Sequence, residues 1–139
     1  KDTNNKADYV IGGPSVELLF KSYNAKYKTA FESQAVESSD KRNTGYQIRK
    51  TSSDSWANYV SSMLSTSDPL YVITAQSNAL AYWLASPSAN DADFVLSAYY
   101  YGGVGDSDYR YDSSGFRPLV CLQSGVKLQK VSDKQYTIQ

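Results

Sequence analysis

Between Val16 and Tyr27 the apolar positions Val16, Leu19, Phe20, Tyr23 and Tyr27 fall at i, i+3, i+4, i+7 and i+11, the spacing of one helical face. Pro14 is tolerated at a first helical position, and Glu17 lies in the first turn, where the helix dipole favours a carboxylate. Together they predict a helix over 14–28. A second stripe, Trp56, Tyr59, Val60, Met63 and Leu64, predicts another helix with Asp54 as its N-cap. Short strands are expected at Tyr9–Ile11, closed by Gly12 and Gly13, at Gly45–Arg49, and at Leu70–Ile73 after an Asp68-Pro69 turn. The polar run ESQAVESSDKRNTG (32–45) reads as a loop.

Beyond Ala79 the helical period disappears. AYWLAS, FVLSA and FRPLVCLQ are strand-like runs separated by Ser, Asn, Asp and Gly, and the weak alternation of VKLQKVSDKQYTI marks a last strand. Two early helices and a strand-rich, loop-rich later half give the class α+β, with the helices beside a small antiparallel sheet. Residues 1–8 are polar and read as a flexible segment, and 9–139 as one domain with no repeat and no dividing linker.

Composition narrows the chemistry. Of 139 residues none is His, which removes the commonest general base and metal ligand and every Ser-His or Cys-His nucleophile. Cys121 stands alone in apolar PLVCLQ and reads as a small buried hydrophobe, so neither an internal disulfide nor a thiolate zinc site is expected. A net charge of +0 with no Lys/Arg cluster argues against nucleic acid. No apolar run approaches the ~18 residues that span a bilayer, so no membrane insertion is expected. The glycine stretches IGGPS and YGGVGD lack the phosphate-loop Lys-Ser/Thr and the G-x-G-x-x-G spacing. Asp91, Asp93, Asp106 and Asp108 lack the Gly and distal Glu of an EF-hand, and Arg110 breaks the pattern; they read as solvated loop carboxylates, with no metal. No cofactor and no catalysis are expected.

One segment stands apart. From Ser88 to Ser114 the chain is built largely of Tyr, Asp, Ser and Gly, in a protein with 13 Tyr against 4 Phe. Tyr99, Tyr100 and Tyr101 continue from FVLSA and suit ordinary strand pairing. Tyr109 and Tyr111 sit among Asp106, Ser107, Asp108, Arg110, Asp112 and Ser113, with no aliphatic partner in the segment. Tyr gives a large amphipathic contact with two torsions to freeze, while Ser, Gly and Asp supply adaptable hydrogen bonds; this is the composition of a binding surface. The expected ligand contacts are these residues with Ser88, Asn90, Asp91, Asp93, Ser97 and Ser114. Five Asp against one Arg make the segment acidic, which favours a basic or neutral partner. Phe94, Val95, Leu96 and Val104 are expected to point inward, and Trp83, Phe116, Leu119, Val120 and Leu122 to hold the ends.

GGPSVELLFKSY, then YWLASPSA, then GFRPLVCL form an ordered trio. It resembles the formylglycine-generating-enzyme-like branch of the C-type lectin fold: Gly13–Glu17 is similar to the opening element of its early helix, Tyr82–Leu84 to its Trp-containing strand, and Gly115–Pro118 to its closing Gly-Phe-Arg strand. More narrowly, the layout is similar to variable proteins of diversity-generating retroelements of phages, prophages and gut bacteria, in which the segment before the closing strand is rewritten. That resemblance implies a hypervariable segment at 88–114 between a fixed Trp83 and a fixed Phe116-Arg117. It also implies a receptor-recognition or adhesion role toward a protein or glycan on a cell surface, and an extracellular, cell-surface or virion location. Formylglycine-generating activity needs two Cys and is not carried over; nor is calcium-dependent sugar binding, since no proline here lies in a Glu-Pro-Asn or Gln-Pro-Asp triplet. The competing readings are a calcium-dependent carbohydrate or enzyme module on the same fold, and a self-assembling structural domain of a virion or appendage; oligomerisation stays open.

Overall fold

The computed structural model describes residues 11–74, 79–110, 113–120, 125–132 and 135–138. Residues 1–8 and Cys121 lie outside the described residues. Along the chain run β1 (Ile11–Gly12), α1 (Val16–Tyr27), β2 (Glu32–Glu37), β3 (Thr44–Arg49), β4 (Tyr59–Val60) and β5 (Ala81–Pro87). They are followed by β6 (Phe94–Tyr99), β7 (Val104–Asp108), β8 (Ser114–Gly115), β9 (Leu119–Val120), β10 (Leu128–Ser132) and β11 (Gln135–Ile138). The chain groups into two compact units, residues 13–117 and residues 1–12 with 118–139.

The first helix forms where its apolar stripe lies. It starts at Val16, two residues after the expected Pro14, and Ser15 caps it, its hydroxyl accepting from the Leu18 N–H at 3.2 Å. Lys28 closes it in the left-handed region with φ 58°, donating its N–H to the Asn24 carbonyl. Val16, Leu19, Phe20 and Tyr23 are buried, while Tyr27, on the same stripe, stays 39% exposed.

The expected α+β class, two helices beside a small antiparallel sheet, is not what forms: the described residues hold one helix and eleven strands. The stripe of the second helix is real, since Met63 and Leu64 are buried, but its backbone is claimed by strands. Ala57 exchanges both backbone bonds with Ile48, at 2.8 and 3.0 Å. Tyr59 and Val60 pair with Gly105 and Val104, and the N–H groups of Met63 and Leu64 both reach the Gly102 carbonyl at 2.8 Å. Asp54 caps no helix; its carboxylate takes the Thr51 N–H and hydroxyl and closes a turn. Leu70–Ile73 is a turn rather than a strand, because the Asp68 carbonyl collects the N–H groups of Tyr71 and Val72 and its carboxylate that of Leu70. The expected loop at 32–45 holds β2, paired in register with β3 through polar cross-strand partners: Gln34 with Gln47, and Glu32 with Arg49 at 2.5 Å.

The main sheet of the larger unit has the order β4-β7-β6-β5-β8, antiparallel except for the parallel β5–β8 pair. Its inward side chains Tyr82, Leu84, Leu96, Ala98 and Val104 form one core with the buried face of α1. Tyr82 donates its hydroxyl to the Tyr71 carbonyl at 2.8 Å. The smaller unit contains the short antiparallel pair β1–β9 and the hairpin β10–β11, two strands where one was expected.

Candidate functional site

Ser88–Ser114 is not a loop hung on a sheet. Most of it is the central hairpin of the sheet, with Phe94, Val95, Leu96, Ser97 and Ala98 opposite Asp108, Ser107, Asp106, Gly105 and Val104. Alternation sends Leu96, Ala98 and Val104 into the core, in line with the inward role expected of Leu96 and Val104, whereas Phe94 and Val95 are half-buried. The opposite face carries Ser97, with Trp83 and Gly105 as its neighbours across β5 and β7. Ser88 and Ser97 are fully buried and present nothing to a ligand, which corrects their assignment as contact residues. The Ser88 hydroxyl instead donates to Asp106 at 3.2 Å and accepts from the Asn90 N–H at 3.0 Å, so it braces the entry to the hairpin.

At the closed end the chain turns tightly through Gly102, whose φ of 85° favours glycine. Tyr99 and Tyr101 stack there with ring centroids 5.2 Å apart, and Tyr100 meets Tyr101 edge-on at 5.1 Å. Tyr99 runs back along the sheet, its hydroxyl 2.5 Å from Ser107 Oγ and donating to the Asp106 carbonyl at 3.0 Å. The fourth ring is Tyr59 from β4, 6.2 Å from Tyr99 and donating its hydroxyl to that of Tyr101 at 3.4 Å. Gly105 makes room for it: a Cβ there would stand 2.5 Å from the Tyr59 ring. Burial holds the Tyr101 hydroxyl well above the ordinary tyrosine value, and the bond with Tyr59 adds to this. Tyr59, Tyr100 and Tyr101 remain exposed at the surface. Its helical spacing with Trp56 and Met63 predicts a helix core for Tyr59; only the pairing of β4 with β7, more than forty residues on, brings it here, and no local signal marks it.

At the open end the exposed groups are ions. Arg42 lies 2.7 Å from Asp40, 3.2 Å from Asp91 and 3.5 Å from Asp93. Asp40 accepts from the Ser38 hydroxyl and the N–H groups of Arg42 and Ala92, and these bonds, Ser38 first, hold its carboxyl well below the usual range. The Ser39 hydroxyl bonds to the Asn90 carbonyl, and Asn90 itself is half-buried. Asp108 pairs with Arg110, which lowers its pKa to about 2, and the same guanidinium lies over the ring of exposed Tyr109 at 5.8 Å. Arg42, a residue the sequence did not single out, thus orders Asp91 and Asp93, but it arrives with Asp40, so the segment keeps its acidity while three of its carboxylates are held in ion pairs. Ser113 and Ser114 are half-buried beside β5, and Tyr111 and Asp112 lie outside the described residues.

The flanks divide in the same way. Trp83 is half-buried and Phe116 is 63% exposed, so the side chain fixing this edge of the core is Tyr82 rather than either of them. Leu119 is 38% exposed, and Leu122 lies outside the described residues. Arg117 does hold structure: its guanidinium sits 4.5 Å over the Tyr82 ring and donates to the carbonyls of Leu70 and Val72.

Among the described residues no group of three or more His, Cys, Asp or Glu could hold a metal ion, and no helix is long and apolar enough to cross a membrane. No protein-family model, curated protein or solved structure matches the chain.

Proposed function

We propose that this is a recognition domain that binds a protein or glycan on a cell surface through the tyrosine-rich tip of the β6–β7 hairpin, without catalysis. The observation that supports the reading is the four-ring cluster of Tyr59, Tyr99, Tyr100 and Tyr101, three of them exposed, on a tip braced by Gly102 and Gly105. Freezing a rotamer-rich side chain at an interface costs about 0.5–1.5 kcal/mol, and rings already stacked have lost much of that freedom. A ring filling a desolvated pocket returns about 2 kcal/mol or more. Tyr109 and Arg110 at the open end extend the surface.

Kinship with the variable proteins of diversity-generating retroelements belongs to the same proposal and rests on Gly13–Glu17, Tyr82–Leu84 and Gly115–Pro118. It is tested by sequencing this locus, and any near-copy beside it, from several isolates. Changes concentrated at Asp91, Asp93, Tyr99–Tyr101 and Asp106–Ser114, with Tyr82, Trp83 and Leu96 constant and Asn in the near-copy, uphold it. Tyrosines as constant as Tyr82 remove the diversified surface.

A further inference from the structure

Tyr100 also lines a cleft of about 310 Å³. That is the lower end of the range for small-molecule sites, enough for one small ligand. Four described lining residues carry hydroxyls, Thr66, Ser67, Thr74 and Tyr100, and three are apolar, Pro69, Val72 and Ile73. None is charged. We infer that this cleft is a binding site for a neutral saccharide unit, independent of metal. It shares Tyr100 with the tip but does not rest on the reading of the tip, since its other lining residues lie outside 88–114.

The chemistry follows from the lining. A phosphate, carboxylate or ammonium group would lose its hydration here and find no opposite charge among these side chains. A purely apolar anchor would cover hydroxyls and leave them unpaired. Hydroxyl groups donate and accept at once, so their natural complement is a ligand whose own polar groups do both. A pyranose is such a ligand, and its C–H face adds an apolar side for Pro69, Ile73 and the Tyr100 ring. That ring is held edge-on against Tyr101 at 84°, which fixes the direction it presents.

The site is also pre-formed, although its lining segment has no regular secondary structure. The Asp68 carboxylate receives Lys26 and the Tyr27 hydroxyl, each at 2.6 Å, and the Leu70 N–H at 3.1 Å. The Tyr71 hydroxyl lies 2.8 Å from Ser22 Oγ, and Arg117 binds the carbonyls of Leu70 and Val72. Ser67 shares one hydrogen bond with Ser65 at 2.9 Å and keeps capacity for another. A lining already ordered leaves little entropy to lose on binding.

The test is a titration of the ¹⁵N-labelled full chain, followed by amide shifts, with the methyl glycosides of glucose, galactose, mannose and N-acetylglucosamine and with trisaccharides of the same sugars. N-acetylleucine methylamide serves as the apolar probe. At least one sugar is expected to shift Thr66, Ser67, Ile73, Thr74 and Tyr100 saturably, with a dissociation constant of about 1–10 mM, unchanged by EDTA. Thr74→Val, nearly isosteric, should weaken that binding about 2–10-fold with Tm unchanged, and Tyr100→Ala should weaken it further. Tighter binding of a trisaccharide points to a glycan chain and equal binding to a free sugar; both uphold the site. No shift with any sugar, shifts confined to other residues, or a cleft filled by the leucine probe alone overturns it. Cell binding by Tyr59→Ala, which removes a ring that meets Tyr99 and bonds to Tyr101 at the tip, separates failure here from failure of the tip.

Discussion

At the tip of the β6–β7 hairpin the exposed side chains are uncharged rings packed on one another over glycine; at its open end they are Asp and Arg paired across loops. The two ends are five residue steps apart along β6, about 17 Å at ~3.4 Å per residue. Both come from one stretch of Tyr, Asp, Ser and Gly, so composition alone marks that stretch as surface-like without saying how it divides. Register divides it. Tyr99–Tyr101 fall where the chain must turn and β4 brings Tyr59, whereas Asp91, Asp93 and Asp108 fall where the 38–43 loop brings Asp40 and Arg42. Aromatic packing leaves the tip's rings available to a partner, while the ions at the open end are mostly engaged with each other.

The contrast is sharpened by substitutions that strike one end at a time. The largest effect is expected from Gly45→Ala, below the open end, because the new Cβ would lie 2.1 Å from the Ser88 carbonyl oxygen, which is backbone and cannot swing aside. A loss of about 3 kcal/mol or more in denaturant unfolding is expected, from overpacking against a rigid neighbour. Gly105→Ala strikes the tip, where the new Cβ would stand 2.5 Å from the Tyr59 ring and 2.8 Å from that residue's Cα, so the ring and the short β4 must both shift; about 1–3 kcal/mol is expected, with ring resonances of Tyr59, Tyr99 and Tyr101 displaced and those near Arg42 unchanged.

The ends also part company on titration. Asp108 has its pKa lowered to about 2, so its contribution to stability is complete above the unfolded value near ~3.9 and is lost as pH falls through about 2. Tyr101 is shifted the other way: its contribution is complete below the ordinary tyrosine value near ~10 and is lost only as pH rises through a higher one. Side-chain NMR titration should show acid loosening the Asp108–Arg110 pair between about pH 4 and 2, and Tyr101 still protonated at pH 10. The smallest effect on the fold belongs to Tyr109→Ala, within about 0.5 kcal/mol by thermal melting, since its ring is 59% exposed.

What could be read in the chain beforehand was whatever depends on near neighbours. The stripe Val16-Leu19-Phe20-Tyr23 specifies α1 through its own spacing, and AYWLAS and FVLSA specify β5 and β6 through β-branched and aromatic content. Two failures are local, the Leu70–Ile73 turn made by Asp68 and the Asp54 turn made with Thr51, and the others involve partners farther along the chain. Trp56-Tyr59-Val60-Met63-Leu64 has helical spacing, yet its donors and acceptors are taken by Ile48, Gly102, Val104 and Gly105, which no local pattern foretells. Glu32–Glu37 looks like a loop because it is polar, and becomes a strand because Arg49 and Gln47 lie opposite. Composition marks the candidate surface, but it also marks Ser88 and Ser97, which register buries, and passes over Tyr59, Asp40 and Arg42, which arrive from other parts of the chain.

The central claim, that the exposed rings of the tip make contact with a cell-surface ligand, is tested most directly by flow cytometry of the fluorescently labelled full chain on a panel of bacterial and mammalian cells. The wild-type protein is expected to bind at least one cell type saturably, and Tyr101→Ala to bind it at least tenfold more weakly with Tm unchanged. Equal binding by Tyr101→Ala, or no binding to any cell in the panel, would contradict the claim.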